Sequence, residues 1–399
     1  MTPLKIGWID YSSEHKNKVM AVLDLLSDKG AIDELGTGSI RDGFGDIFFP
    51  GTSTIQTRAK YFFIVSYLLM ELEKEPHSSY KDFLEELAQR EVDLIDTLVE
   101  TNAEGVIGAR ARKKLKRKPS SIYWNGLRTF EFFKHAHLSL NNYAKAFLTL
   151  RRKQEADRSL GHEEGDIVNA EGAEYNSTFW QCLLPPFDWR ESLSMDLTYQ
   201  EAVFMKEKIL TSPKSKDSLF AFLLKEEAEK VRQVDKFEAI GKMFPLPDGI
   251  RQDYEMAERF SKFISGANIR YNVLLSNHEN SVALDKWRNW LDSSFVKHEF
   301  ASFRYSDVLF RLQIYNPLLK RFLGEWQKTV LSGHEQEIDK LLVKREIELK
   351  SKDRAKLFNS KNYAYEDGSW LGAEKLQYRY PNSKILLQDI FDGLEDGYA

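Results

Sequence analysis

Seven cations occupy the nine positions 110–118, namely Arg110, Arg112, Lys113, Lys114, Lys116, Arg117 and Lys118, and no acid stands among them. A run of that density offers guanidinium and ammonium donors to phosphate oxygens, the chemistry of a nucleic-acid backbone, whose neutralisation releases condensed counterions. Pro119-Ser-Ser-Ile-Tyr-Trp124 follows directly, so the run is flanked by rings of the kind that stack on bases. Two structural uses compete with this reading. One is a solvated loop. The other is an internal partner for the acidic stretch 71–104, which holds eleven acids against Lys74, Lys81 and Arg90.

A second candidate lies at 33–61, DELGTGSIRDGFGDIFFPGTSTIQTRAKY. Ser39 reads as the cap of a short helix to residue 48, Pro50-Gly51 as a break, and Thr52 or Ser53 as the cap of a longer helix to about residue 73. In that second helix Ser53, Gln56, Thr57 and Lys60 share a face by the i, i+3, i+4, i+7 rule, with Arg58 beside them. Polar groups at a helix N-terminus suit phosphates and base edges, so the segment is predicted to be a helix-turn-helix-like recognition element. The competing reading is the solvated side of a buried helix, held by the apolar run 61–70.

Other chemistry finds little support. Gly36-Thr-Gly38 and Gly43-Phe-Gly45 lack the lysine and hydroxyl of a phosphate loop and read as turns and caps. His135 and His137 stand two apart without further close ligands, and Cys182 is the only cysteine, so no metal site and no cofactor is expected. No serine or cysteine nucleophile has a partner in sequence, so nucleophilic catalysis is unsupported, and whether the chain is an enzyme stays open with the residues weighing against it. Glu348-Leu-Lys350, with Asp339 upstream, has the spacing of a metal-dependent nuclease, but such motifs sit on strands. Here 335–357 reads as a charged helix with solvated pairs Glu346 to Lys350 and Glu348 to Lys352.

The elements that must position these groups are helical. Val19, Val22, Leu23 and Leu26 form one apolar stripe closed by Gly30, and Leu84, Leu87, Leu94, Ile95 and Leu98 form another. Ser139 starts a helix to about residue 153, Thr198 with Glu201 forms a capping box, and Asn316-Pro317 marks a further start. The fold class is mainly α: multi-helical, two or more packed helical domains with minor β, including a short strand near 6–9. The Gly-, Glu- and Asn-rich stretch and the turn Leu184-Pro-Pro-Phe187 divide the chain into an N-terminal helical domain 1–158, a linker 159–196 and a C-terminal helical domain 197–399.

With 399 residues, 57 basic and 61 acidic, the net charge is -4, so any attraction to nucleic acid is local. No apolar run approaches the roughly 20 residues of a spanning helix, no secretion signal is evident and cysteine is nearly absent, which together predict a cytoplasmic protein without membrane contact.

Ile6-Gly-Trp-Ile-Asp10, Asp33-Glu-Leu-Gly36, Ile40-Arg-Asp42, Phe49-Pro-Gly-Thr-Ser-Thr-Ile-Gln-Thr-Arg-Ala-Lys-Tyr61, Pro119-Ser-Ser-Ile-Tyr-Trp124, Arg354-Ala-Lys-Leu357, Tyr378-Arg-Tyr380, Asp389-Ile390 and Gly393-Leu394 resemble an uncharacterised bacterial domain-of-unknown-function family over nearly the whole chain. The resemblance implies an association with phage-defence genes, and it carries no established activity or catalytic residue. The functional expectation is a nucleic-acid-binding accessory protein of a bacterial antiviral defence or DNA-processing assembly, with protein partners in that complex. The alternatives are a protein-interaction scaffold, in which Trp287, Trp290 and Trp326 are core or interface anchors, and a metal-dependent nuclease.

Overall fold

The structure, a computed structural model, describes residues 33–101, 103–159, 174–359, 363, 365, 368–372 and 374–396. The stripe expected at 19–26 and the strand expected near 6–9 lie outside the described residues. In chain order the principal elements are α1 (Gly38–Phe48), α2 (Tyr61–Leu72), α3 (Tyr80–Glu100), α4 (Pro119–Thr129), α5 (Leu140–Ser159), β1 (Glu174–Asn176) and β2 (Gln181–Leu183). They are followed by α6 (Tyr199–Thr211), α7 (Asp248–Leu275), α8 (Ser281–Asp292), α9 (Tyr305–Arg311), α10 (Pro317–Ser332), α11 (Glu335–Lys350) and α12 (Tyr380–Glu395). The protein is mainly α, with β1 and β2 paired antiparallel and Tyr175 opposite Cys182. No helix among the described residues is long and apolar enough to cross a membrane.

The chain forms two compact units, one of Met1–Ile40 with Ala257–Leu376, the other of Arg41–Met256 with Gln377–Ala399. This partition differs from the sequence division at 159–196, because the described part of that stretch is packed rather than strung between domains. Trp180, just before β2, is fully buried, its ring 5.2 Å from Phe133 and 5.9 Å from Tyr143.

The second unit is built around α2. All its residues except Glu71 are buried, as an all-round apolar helix requires. Phe62 meets Tyr123 edge-on at 4.9 Å and Phe63 meets Phe132 at 5.4 Å. At the end of α2 the Glu73 carboxylate accepts bonds from Tyr143 Oη (2.5 Å) and Trp180 Nε1 (2.9 Å), and burial pushes its pKa up to about 7. α6 opens with the expected capping box, Glu201 N donating to Thr198 Oγ1 at 3.3 Å and Thr198 N to Glu201 Oε2 at 2.9 Å.

In the first unit Trp287, Trp290 and Trp326 are core residues, with centroids 5.2 and 5.8 Å apart along the series. Asn316 caps α10 through bonds from the Leu318 and Leu319 amides, and Pro317 takes the first helical position. α11 stops at Lys350 rather than 357, at Ser351 with φ 71°. The Glu346–Lys350 pair exists at 3.0 Å, but Glu346 is fully buried and Lys350 half-buried instead of both being solvated. Glu346 also accepts from Tyr271 Oη (2.8 Å) and the Leu357 amide (2.9 Å), while Glu34 pairs with Lys350 and Lys356. Two carboxylates and two ammonium groups thus cancel in place, which lets the cluster be buried. Glu348 turns to Arg321 (2.8 Å) instead of Lys352. The two side chains of the nuclease-like spacing therefore serve different partners, on a helix and not on a strand.

Candidate nucleic-acid interface

The recognition helix expected from Ser53 onward is not formed. Residues 52–60 are a loop, and α2 begins only at Tyr61. The cause is local. Hydroxyl and amide side chains at these positions bind neighbouring backbone in place of a helical ladder. Thr52 Oγ1 donates to Phe49 O (2.7 Å), Gln56 Oε1 accepts from Ser53 N (3.1 Å), and Gln56 Nε2 donates to Gly51 O (3.2 Å). The fully buried Tyr123 hydroxyl accepts from the Thr57 and Arg58 amides (2.9 and 3.1 Å) and donates to Arg58 O (2.8 Å).

The face read as solvent-facing is directed inward. Gln56 is 1% exposed and Lys60 8% exposed. Thr57 Oγ1 donates to Gly105 O at 2.6 Å. Arg58 bridges Asp389 and Asp196, each at 2.8 Å, and Lys60 Nζ donates to Glu201 Oε2 at 2.6 Å. Asp389 of α12 also accepts the Ala59 amide (2.6 Å), and its burial pushes its pKa up to about 6. Asn382 donates to Thr54 O and Gln56 O, and Arg379 to Thr52 O. Gln56, Thr57, Arg58 and Lys60 therefore belong to the clamp that fastens α12 and α6 to the start of α2, and Ser53 serves it only through its amide on Gln56. The motifs around residues 49–61 and 378–394 meet in this clamp, which gives a structural reason for their residue types.

The basic run has the opposite character. After a 3-10 turn at Arg112–Lys114 it proceeds to α4, with Pro119 at the first helical position. Arg110, Lys113, Lys114, Lys116 and Arg117 are exposed. Arg112 pairs with Asp96 of α3 at 2.5 Å, and Lys118 Nζ donates to Leu115 O at 3.0 Å. The adjoining aromatics are not available for stacking. Tyr123 is fully buried in the clamp, and Trp124 lies 4.7 Å from Phe133 with its indole N–H on Leu138 O. The exposed surface at 110–118 is thus cationic and non-aromatic.

Two buried carboxylates, Glu91 behind this loop and Asp389 in the clamp, carry a signal that was not read as structural in the sequence. Glu91 sits on the apolar stripe of α3, one turn from Leu87 and from Leu94, and is 3% exposed. Its carboxylate accepts Ser120 N (2.5 Å) and Ser120 Oγ (3.0 Å), closing the open N-terminus of α4 directly after the cations. Burial pushes its pKa up to about 7 against those two bonds. An acid on a leucine stripe is the cue by which it was legible. Asp389, on the Leu386–Ile390 face of α12, gives the same cue.

His135 does not gather ligands. Its Nε2 lies 2.9 Å from Thr178 O, and no group of three acidic, histidine or cysteine side chains arranged to hold a metal occurs among the described residues.

Residues 4–160 match the model of a family of unknown function, DUF6361. The likeness to an uncharacterised family thus holds for the N-terminal part of the chain, and the motifs at 354–394 lie outside the matched region. No curated protein and no solved structure matches the chain.

Proposed function

We propose that the protein binds nucleic acid through the phosphate contacts of its 110–118 loop, as an accessory subunit of a defence or DNA-processing assembly. One observation carries this reading. Arg110, Lys113, Lys114 and Lys116 are exposed on one short loop and pair with no carboxylate among the described residues, although the acidic α3 is adjacent. Of the loop cations Arg112 is taken by Asp96 of that helix, but these four are not, and a multivalent anion would recover the Coulomb energy they leave unused. With no ring beside them, these contacts discriminate little between sequences.

Fluorescence anisotropy with labelled duplexes across a salt series tests this. Wild-type affinity is expected to fall steeply with salt and to vary little with sequence. Arg110, Lys113, Lys114 and Lys116 changed together to Ala should weaken binding to every sequence and reduce the log–log salt slope by roughly 3–4. An unchanged slope would remove the loop from the interface.

A protein-interaction scaffold is the second reading, favoured by Phe187, Phe310 and Tyr315, whose rings are 93%, 81% and 84% exposed. Such rings are the usual anchors of a protein interface.

A further inference from the structure

Charge on either side of the basic loop is segregated by element. Residues 105–154 hold thirteen cations and one acid, Glu131, whereas α3, which leads into the loop, presents Asp93, Asp96 and Glu100 to solvent. α4, which leads out of it, contains no acid. A polyanion seated on the loop is therefore repelled along α3 and steered along α4.

α4 shows a single stripe to solvent. Ser121 and Asn125 are exposed and Arg128 is half-buried, at the i, i+4 and i+7 positions of one face, and the other eight residues of the helix are buried. All three side chains can donate hydrogen bonds. Arg128 holds the far end of the stripe, where its Nη1 donates to Ala136 O (3.0 Å) and Leu138 O (3.4 Å) and its Nη2 to Asn125 Oδ1 (3.4 Å). Its Nε makes no hydrogen bond. Arg128 pairs with no carboxylate among the described residues, Glu131 included, and burial holds its pKa below the usual arginine value. Carbonyl and amide oxygens orient this guanidinium without neutralising it, so its charge remains for an outside anion.

Span and ring content decide what the stripe suits. Ten residues separate Lys118 from Arg128, a helical rise of about 15 Å, which exceeds the Debye length of about 10 Å at 0.1 M salt. Arg128 therefore meets a phosphate of its own. No Phe, Tyr or Trp is exposed between 105 and 154, so a single strand finds no platform for its bases there. A duplex keeps its bases stacked and presents the denser row of phosphates.

We infer that the partner is a nucleic-acid duplex whose phosphate backbone runs from the 110–118 loop along α4, with Ser121 and Asn125 as neutral donors and Arg128 as a second cationic anchor. It rests on the phosphate-binding reading of the loop and adds to it a strand class and a second contact.

Anisotropy titrations with a duplex of about 20 base pairs and with its single strand compare the wild-type chain, Ser121→Glu, Arg128→Gln and the four-alanine loop variant. Ser306→Glu, at an exposed serine of the first unit, controls for the added charge. A glutamate at 121 stands in the first turn of α4, where the helix dipole favours it, and circular dichroism with the denaturation midpoint verifies that each variant is folded. The expected result is about tenfold tighter binding of duplex than of single strand, and duplex binding about tenfold weaker in Ser121→Glu but unchanged in Ser306→Glu. Arg128→Gln should lower the salt slope by about 1. A single strand bound as tightly as the duplex, or Ser121→Glu indistinguishable from Ser306→Glu, overturns the α4 track, and the loop reading then stands if the four-alanine variant still loses binding. Weakening by Ser121→Glu and Arg128→Gln, with the four-alanine variant as tight as wild type, supports the α4 contact and overturns the loop. Absence of salt-sensitive binding to either form overturns both.

Discussion

Replacing Lys60 with Met is expected to destabilise the second unit by about 3–5 kcal/mol, because it leaves the buried Glu201 carboxylate without its cation. Methionine keeps the length of the stem, so lost volume contributes little. Were Lys60 on a solvated recognition face, the same change would fall within about ±0.5 kcal/mol. Urea denaturation of the full chain, followed by circular dichroism, separates the two cases. A midpoint close to wild type would mean that the loop 52–60 does not fasten α2 to α6.

The second large effect is a fall in stability as pH rises through neutrality. Glu73 and Glu91 are raised from 4.5 to about 7 and Asp389 from 3.8 to about 6, in each case chiefly by burial. A carboxylate whose folded pKa lies above its unfolded value holds its proton more tightly when folded. Its stabilising contribution is full below the unfolded pKa and is lost as pH climbs through the folded one. The window is therefore about pH 4 to 7, with most of the remaining loss complete by pH 8. Two groups near 7 and one near 6 make the protein more stable at pH 6 than at pH 8 by roughly 3 kcal/mol. Carboxylates lowered by partners, such as Glu75 beside Arg90 and Glu335 beside Trp287, act below this window. Denaturation midpoints at pH 6 and 8 should show the difference, and Glu91→Gln should narrow it by roughly 1.4 kcal/mol. A midpoint that rises from pH 6 to 8 contradicts the burial of these carboxylates.

Helix starts were legible wherever a side chain makes a local bond to backbone. Thr198 with Glu201, Asn316 before Pro317 and Ser139 before α5 all act within three residues of themselves, so their patterns announce them. Residues 52–60 misled for a related reason. Ser, Thr and Gln at helical spacing are also the residues whose side chains compete with a helix for its backbone. What decides between the outcomes is Tyr123 Oη, 66 positions from Thr57, and Asp389, 330 positions from Ala59. No local pattern contains those partners. The polar face therefore looked free when it was committed to residues distant in sequence. At 110–118 the sequence left a solvated loop, an internal partner for the acidic stretch and a phosphate contact open together, and the structure shows most of these cations exposed. The adjoining Tyr-Trp pair followed the ordinary rule for rings and went to the core.

Lysine footprinting of the full chain, by acetylation and mass spectrometry with and without a DNA duplex, bears most directly on the claim that the 110–118 loop makes the contact and the 52–60 segment does not. The account predicts that Lys113, Lys114 and Lys116 are labelled in the free protein and protected by DNA, while Lys60 is unlabelled in both states. Ready labelling of Lys60 that DNA suppresses, with the three loop lysines unaffected, would contradict it.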